Sequence, residues 1–294
     1  MNLTEVVIRP NDKLEDLARK VREATILGTL QSTLTDFRYL SREWQRNCEE
    51  ERLLGVSLTG IMDHPTLSGK GGDPSKWLQD LRDITIETNK EWSERLGINP
   101  SAAITTVKPS GTVSQLVGTS SGIHPAYARQ YIRNVRNSWN DPLTRFLQDQ
   151  GVPMEQDVRD PTTYVIGFPI KVPEHSVLRE DMSAIDQLEL WKTYQEHWCE
   201  HKPSCTVYVR EEEWMEVGAW VYNNFEIISG VSFLPYSDHI YKQAPYEPID
   251  EERYQQLVDN FGSIDWDQFI GYEEDDNTTS SQELACSGGM CEII

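Results

Sequence analysis

The sequence predicts an α/β fold with a largely parallel sheet, from three observations. Short β-branched runs alternate with amphipathic stretches of helical length, as in chains that build helices over parallel strands. Caps and breakers (Asp73-Pro74, Gly97, Ser183, Gly151) stand where the periodicity changes. No internal repeat is visible. In order, Asn2 to Arg9 ends in strand-like alternation, and the chain begins as if in mid-fold. Asn11-Asp12 can cap a helix whose stripe is Leu14, Leu17, Val21, Ala24 and Leu27. Arg42 to Leu54 is charged and helical, and Leu54 to Gly60 turns apolar and small. Asp73-Pro74 opens a helix carrying Trp77, Leu81, Ile84, Thr88 and Trp92 that ends at Gly97.

Beyond the centre, Asp141 to Gln150 reads as a short helix, and Tyr164 to Val172 as a strand that Pro169 places at an edge or bulge. Ser183 to Asp186 resembles a capping box for a helix with Ile185, Leu188, Trp191, Tyr194 and Trp198. Cys205 to Val209 is a strand, Glu211 to Phe225 a helix, Leu234 to Pro248 an aromatic loop and Asp250 to Phe261 a last helix.

At 294 residues the chain is one large or two ordinary domains. No apolar run reaches a membrane-spanning length and the N-terminus has no signal-peptide core, so a soluble, cytoplasmic protein is expected. Five irregularly spaced cysteines make no disulfide framework. The net charge of −21 argues against nucleic-acid binding, which needs a basic face. That charge is uneven. Residues 101–150 hold five Lys/Arg against two acids, a local +3, while 247–294 hold one Arg against thirteen acids, a local −12.

The most informative stretch is ITTVKPSGTVSQLVGTSSGIHPAYAR, residues 104–129. Ile104 to Val107 reads as a strand, Pro109 breaks it, and Val113 to Val117 can start a helix. A strand that turns through Ser110-Gly111-Thr112 into a helix offers unpaired backbone N–H groups to an anion. Gly111 would admit a phosphate oxygen close to the backbone, and Ser110, Thr112 and Ser114 could add hydroxyls. A second small turn, Gly118 to Gly122, suggests two loops at one site, and the basic island (Lys108, Arg129, Arg133, Arg136, Arg145) coincides with them. A plain corner capped by hydroxyls, and a solvated helix face for the arginines, fit the same residues. Neither a P-loop nor GxGxxG is present.

The second informative place is Cys286-Ser287-Gly288-Gly289-Met290-Cys291, behind an acidic, Ser/Thr-rich stretch expected to be mobile. Two thiols around a Gly-rich tetrapeptide can close a disulfide and visit both a buried site and a soluble reductant. An inert tail is the alternative. Two thiolates do not fill a zinc shell, so no metal is expected there. His197 and His201, four apart near Cys199, carry only a weak metal signal. Cys48, Cys199 and Cys205 read as buried thiols, and Asp238-His239 does not complete the Asp-x-His-x-x-Gly pattern of some cobalamin proteins.

These residues carry a family resemblance. VKPSGTVSQLVGTSSGIHPAYAR is similar to the substrate-phosphate loop of ribonucleotide reductase large chains, and residues 2–40 resemble the stretch just past their active-site finger loop. SCTVYVREEEWMEVGAWVYNNF, SGVSFLPYSDHIYKQAPYE and CSGGMC resemble the monomeric, adenosylcobalamin-dependent (class II) ribonucleoside-triphosphate reductases. The glycyl-radical class is disfavoured, since its C-terminal motif and paired Cys-x-x-Cys zinc site are absent.

The resemblance implies the second half of a ten-stranded α/β barrel over residues 1–272, followed by a mobile acidic tail, 273–294, with the dithiol. Ser110, Gly111, Thr112, Val113 and Ser114 would hold the phosphates of a ribonucleoside triphosphate. Cys286 and Cys291 would re-reduce the active-site disulfide and be reset by thioredoxin or a similar reductant. The whole enzyme would use adenosylcobalamin to make a thiyl radical and replace the 2′-hydroxyl by hydrogen. The radical cysteine and its Asn and Glu companions are absent, and Met1 stands where a redox cysteine usually precedes Asn-Leu-Thr-Glu. The expectation is therefore a C-terminal piece, inactive alone, that completes a reductase with a separately encoded N-terminal fragment. The alternative is a non-catalytic nucleotide-binding or thiol-relay protein left by truncation.

Overall fold

The computed structural model describes residues 1–237 and 241–273. In chain order the first elements are β1 (Asn2–Val7), α1 (Leu14–Gln31), α2 (Arg42–Glu51), β2 (Leu54–Thr59), α3 (Ser75–Leu96) and α4 (Val113–Val117). There follow β3 (Gln130–Ser138), α5 (Pro142–Asp149), β4 (Met154–Gln156), β5 (Thr163–Lys171) and α6 (Ala184–His197). The last are β6 (Cys205–Val209), α7 (Trp214–Asn223), β7 (Val231–Pro235), β8 (Tyr246–Pro248) and α8 (Glu251–Phe261). The mixed α/β class is as expected. The described residues hold eight strands in three sheets, with no closed barrel among them.

Two compact units divide the chain. The first comprises Met1–Ala126 and Val172–Ser237. Its strands are parallel: β1 pairs with β2 from Asn2↔Leu54 to Val7↔Thr59, and β6 with β7 from Cys205↔Val231 to Val209↔Pro235. Every residue of β2 is buried, the pattern of a parallel strand covered on both faces. Residues 104–107 lie extended along the far side of β2, where the Val56 N–H donates to Ile104 O (2.8 Å) and the Thr106 N–H to Val56 O (3.0 Å). Their other edge meets the chain entering β6, because the Ser204 N–H donates to Val107 O (2.8 Å).

Local chemistry fixes the helices of this unit. α3 stops at Gly97, whose φ of 67° is the left-handed conformation of a helix C-cap. α6 opens on the expected capping box, with Ser183 Oγ accepting from the Asp186 N–H and the Asp186 carboxylate accepting from the Ser183 N–H. Trp191, Tyr194 and Trp198 are fully buried, and each polar tip has a partner: Pro203 O (3.3 Å), Leu67 O (2.9 Å) and Thr106 O (2.8 Å).

The second unit comprises Tyr127–Lys171 with the described part of Asp238–Ile294, and it corrects the expectation of a largely parallel sheet. Its four strands, in the order β4-β5-β3-β8, are all antiparallel. β3 was not expected as a strand. It is held by non-local pairing along its whole length with β5, from Gln130↔Lys171 to Ser138↔Thr163. Pro169 sits where β5 has β3 on one side (Ile132↔Pro169) and β4 has already ended, so the edge expectation holds. The aromatic stretch after Leu234 also contains β8, which pairs with β3. Among the described residues, no helix is long and apolar enough to cross a membrane.

Gly60 closes β2 at φ 84°, and a Cβ there would stand 2.5 Å from the Ile8 carbonyl oxygen. Gly97 is equally left-handed but faces open space. Gly97→Ala should therefore cost about 1 kcal/mol, from backbone conformation alone. Gly60→Ala should cost at least twice that, because backbone must also move. Urea unfolding of the two variants measures the difference, and equal losses would contradict the close approach at Gly60.

Candidate functional site

Parallel strands end their hydrogen-bond ladders together, so the loops after β2 and after residues 104–107 emerge side by side. The Lys108 N–H donates to Ser57 Oγ (2.9 Å), tying the second loop to the strand beside it. In the next turn Ser110 and Ser114 are buried and bonded to each other: the Ser114 N–H donates to Ser110 Oγ (3.0 Å), and the Ser114 hydroxyl to Ser110 O. Their hydroxyls thus shape the loop from inside. Gly111, Thr112 and Val113 are exposed, at the start of α4. Their backbone N–H groups have no internal partner among the described contacts, while the Thr112 carbonyl already accepts from Leu116 (3.0 Å). Unpaired N–H groups at a helix start are donors that an anion can use. A Cβ on Gly111 would meet nothing within 4 Å, so the fold itself leaves room there.

The second small-residue turn lies directly beneath. Gly118 ends α4 at φ 63°, and the Thr119 N–H returns to Ser114 O (2.9 Å). The Ser110 N–H donates to Ser121 Oγ (2.8 Å), so the upper loop hangs from the lower one. The lower loop is fastened in turn to the end of β2. Ser120 O accepts from the Gly60 N–H (2.8 Å) and the Thr59 hydroxyl (3.0 Å), and Ser120 Oγ accepts from the Met62 N–H (3.2 Å). Asp63, only 1% exposed, accepts from the Ser120 N–H (2.8 Å) and the Ser176 hydroxyl (2.6 Å). Burial pushes its carboxyl pKa up, and the hydrogen bonds from Ser176 and Ser120 and the Arg9 charge only partly offset this. The Arg9 guanidinium donates to Val117 O (2.7 Å), at the carbonyl end of α4.

His124 closes the loop. Its Nε2 accepts from the Thr206 N–H at the start of β6 (3.0 Å), so Nδ1 carries the proton and donates to Ser121 O (3.0 Å). Burial lowers its pKa, more than the Ser121 hydrogen bond raises it.

Of the basic island, Lys108 lies in the first unit, its ammonium donating to Lys202 O (2.8 Å) and Ser204 Oγ (2.9 Å), with its pKa lowered by burial. The arginines belong to the second unit, where Arg133 stacks on Tyr246 (4.5 Å) and Arg136 pairs with Asp157 (2.6 Å).

No family model matches the chain, but several curated proteins and a solved structure resemble it. It is 33% identical to the adenosylcobalamin-dependent ribonucleoside-triphosphate reductase of Lacticaseibacillus paracasei, over 93% of this chain and 41% of that protein. For the Levilactobacillus brevis reductase of the same name the identity is 28%, over 95% and 42%. A probable reductase of this kind from Dictyostelium discoideum is 28% identical, over 99% and 38%. The crystal structure of a B12-dependent (class II) ribonucleotide reductase matches with a TM-score of 0.76 at 26% identity, over 93% of this chain and 42% of that one. The chain is homologous to the adenosylcobalamin-dependent ribonucleotide reductases. It spans about two fifths of their length.

Of the residues that resemblance to the reductases singled out, the structure brings Ser110 to Ser114 together as one turn. Cys286 and Cys291 lie outside the described residues, as does Asp238-His239. Cys199 and Cys205 are buried and free; burial raises both thiol pKa values, Cys205 to about 12, against a hydrogen bond to its sulfur from Gln187 (3.2 Å). His197 Nδ1 is partnered by Gln79 (2.9 Å), and among the described residues no group of three or more His, Cys, Asp or Glu could hold a metal. Asp63, Ser176 and His124 escape sequence reasoning. The one available signal is an acid, Asp63, directly after the apolar run Leu54 to Met62.

Asp63 makes the network sensitive to pH. Its folded pKa lies above the unfolded value, so the folded state binds the proton more tightly, and its stability contribution is lost as pH rises through the folded pKa. Asp63→Asn keeps an acceptor for the Ser120 N–H without the charge. As pH rises above the ordinary aspartate range the wild type should therefore lose stability relative to Asp63→Asn, by up to about 1.4 kcal/mol per pH unit until the folded carboxyl has ionised. Denaturant unfolding across that range measures it; a pH-independent difference would refute the raised pKa.

Proposed function

We propose that this chain is the phosphate-holding part of an adenosylcobalamin-dependent ribonucleoside-triphosphate reductase. The observation that carries this reading is the turn at Gly111, Thr112 and Val113, with unpaired N–H groups aimed outward from a buried hydroxyl and carboxylate network, in a chain homologous to such enzymes. Substrate phosphates accept from these N–H groups, and Ser110 and Ser114 hold the turn in shape. Replacement of the ribose 2′-hydroxyl by hydrogen oxidises two active-site thiols to a disulfide. Cys286 and Cys291 return that disulfide to thiols by exchange, becoming a disulfide themselves, and thioredoxin or a similar dithiol resets them.

In this reading the radical cysteine comes from outside these residues, and the parts together complete a ten-stranded α/β barrel. Support comes from β1, which has a strand partner on one side only and lies among exposed apolar side chains, Leu3 and Leu27. Adenosylcobalamin supplies the radical when bound. Four clefts on the first unit measure about 310–390 Å³, and among the described residues no group of three or more His, Cys, Asp or Glu could hold a metal. In this reading the cofactor belongs to the assembled enzyme. A cytoplasmic setting suits the free thiols Cys48, Cys199 and Cys205.

Two experiments test the reading. Gly111→Val fits the fold but blocks the approach of a phosphate, and should weaken ribonucleoside-triphosphate binding at least about tenfold with unchanged unfolding. Unaltered affinity would remove the site. Separately, mixing the chain with an N-terminal fragment bearing the radical cysteine, adenosylcobalamin and thioredoxin should produce nucleotide reduction that neither piece shows alone. The Cys286→Ser/Cys291→Ser variant should complete one turnover and stop, with a small dithiol restoring part of the rate. Sustained turnover of that variant on thioredoxin alone would exclude the relay, and a chain indifferent to the fragment would favour the truncated, non-catalytic alternative.

A further inference from the structure

The anion turn makes few bonds of its own to the strands. Ser110, its first residue, hangs by its N–H from Ser121 Oγ (2.8 Å). The carbonyl of that same Ser121 accepts from His124 twice, from the backbone N–H (2.9 Å) and from Nδ1 (3.0 Å), and His124 Nε2 accepts from the Thr206 N–H (3.0 Å). Thr206 is the second residue of β6 and pairs in register with Ser232 of β7. A single imidazole thus bridges the lower loop and a sheet strand that is otherwise remote in sequence. Both ring nitrogens are used, one as donor and one as acceptor, so the bridge exists in only one tautomer.

The geometry points to His124 as a positioning residue for the anion turn: it sets the orientation of Ser121, and through Ser121 that of Ser110 and the N–H groups that follow. This rests on the reading of Gly111, Thr112 and Val113 as phosphate donors. His124 does not touch the ligand in this arrangement. It acts on affinity by fixing donors that would otherwise have to be ordered when the anion arrives. The other anchor, Asp63, holds Ser120 at the β2 side, so loss of the imidazole link should loosen the Ser121 side and not release the whole loop.

The two ends of the bridge can be separated by substitution. An Asn amide reaches the position of Nδ1, and a Gln amide the position of Nε2. His124→Asn therefore keeps the side-chain bond to Ser121 O and loses Thr206, whereas His124→Gln keeps Thr206 and leaves Ser121 O with only the backbone N–H of residue 124 (2.9 Å). Each loses one buried hydrogen bond, so the two should unfold at similarly lowered denaturant midpoints. A purely structural histidine would make them alike in binding also.

With the full chain and inorganic tripolyphosphate as the probe, calorimetry should show His124→Gln binding about five- to tenfold more weakly than wild type, with His124→Asn restoring most of that loss. Ser121→Ala keeps His124 but cuts the link to the Ser110 N–H, and should reproduce the His124→Gln effect. It also serves if His124→Gln does not fold. Equal losses for Asn and Gln, or wild-type affinity in folded His124→Gln or in Ser121→Ala, would overturn the positioning role. If Gly111→Val also leaves tripolyphosphate affinity untouched, the phosphate site itself fails and this inference falls with it. A loss in Gly111→Val without one in the relay variants would sink only the inference.

Discussion

A carboxylate with almost no access to water, Asp63, is the constraint around which the site is built. An ionisable group buried this way is costly unless its oxygens are bonded, and here one oxygen takes the Ser120 N–H and the other the Ser176 hydroxyl. Those bonds fix the residue after β2 relative to two other segments, one before Ala126 and one after Val172. Gly60 is forced into the left-handed region for the same reason: its N–H must reach Ser120 O while its Cα passes against Ile8 O. The small residues of the 118–122 turn are thus explained by close backbone approach. A Cβ at Gly122 would stand 2.8 Å from Lys108 O, and its φ is 53°.

The packing around this corner follows from parallel pairing. β2 is buried on both faces and takes residues 104–107 as its second neighbour, so the two turns are brought together by the sheet and not by their own side chains. The bulk that covers the sheet is aromatic, with Trp191 and Trp198 each donating to a carbonyl of the segments they cover. The second unit uses a different solution. Its antiparallel strands bear arginines that are paired or stacked, and its small core around Phe146 is closed by Trp266, Phe269 and Tyr272.

Much of this is legible in the sequence where the cause is local. The capping box at Ser183 and the stop at Gly97 are short-range chemistry, and the structure has both. The turn at Ser110 to Ser114 is legible for the same reason. What is not legible is set by partners far away in the chain. Arg133 and Arg136 look like a helix face because nothing near them says otherwise; pairing with β5 makes them strand residues. The importance of Asp63 depends on Ser176, more than a hundred residues later, and that of His124 on Thr206. The hydroxyls of Ser110 and Ser114 point inward for a reason equally invisible in composition: the buried turn has backbone groups to satisfy.

In the proposed reading the turn must hold an anion against the charge of its own chain. The chain carries a net −21, so its long-range field repels a polyphosphate. Attraction must come from groups that act only at contact, and backbone N–H donors at a helix start are of that kind. Such donors help most when they need no rearrangement. Here the turn is tied at Ser110, Ser114, Thr119, Ser120 and Gly122, while the N–H groups of the exposed residues Gly111, Thr112 and Val113 have no partner among the described residues. Screening by salt would then weaken a repulsion and leave the contacts nearly untouched, the reverse of a site made of lysines and arginines. In the proposed reading, recognition at this turn rests on the shape of the backbone, and the residues beneath it then matter more than the charges beside it in the sequence.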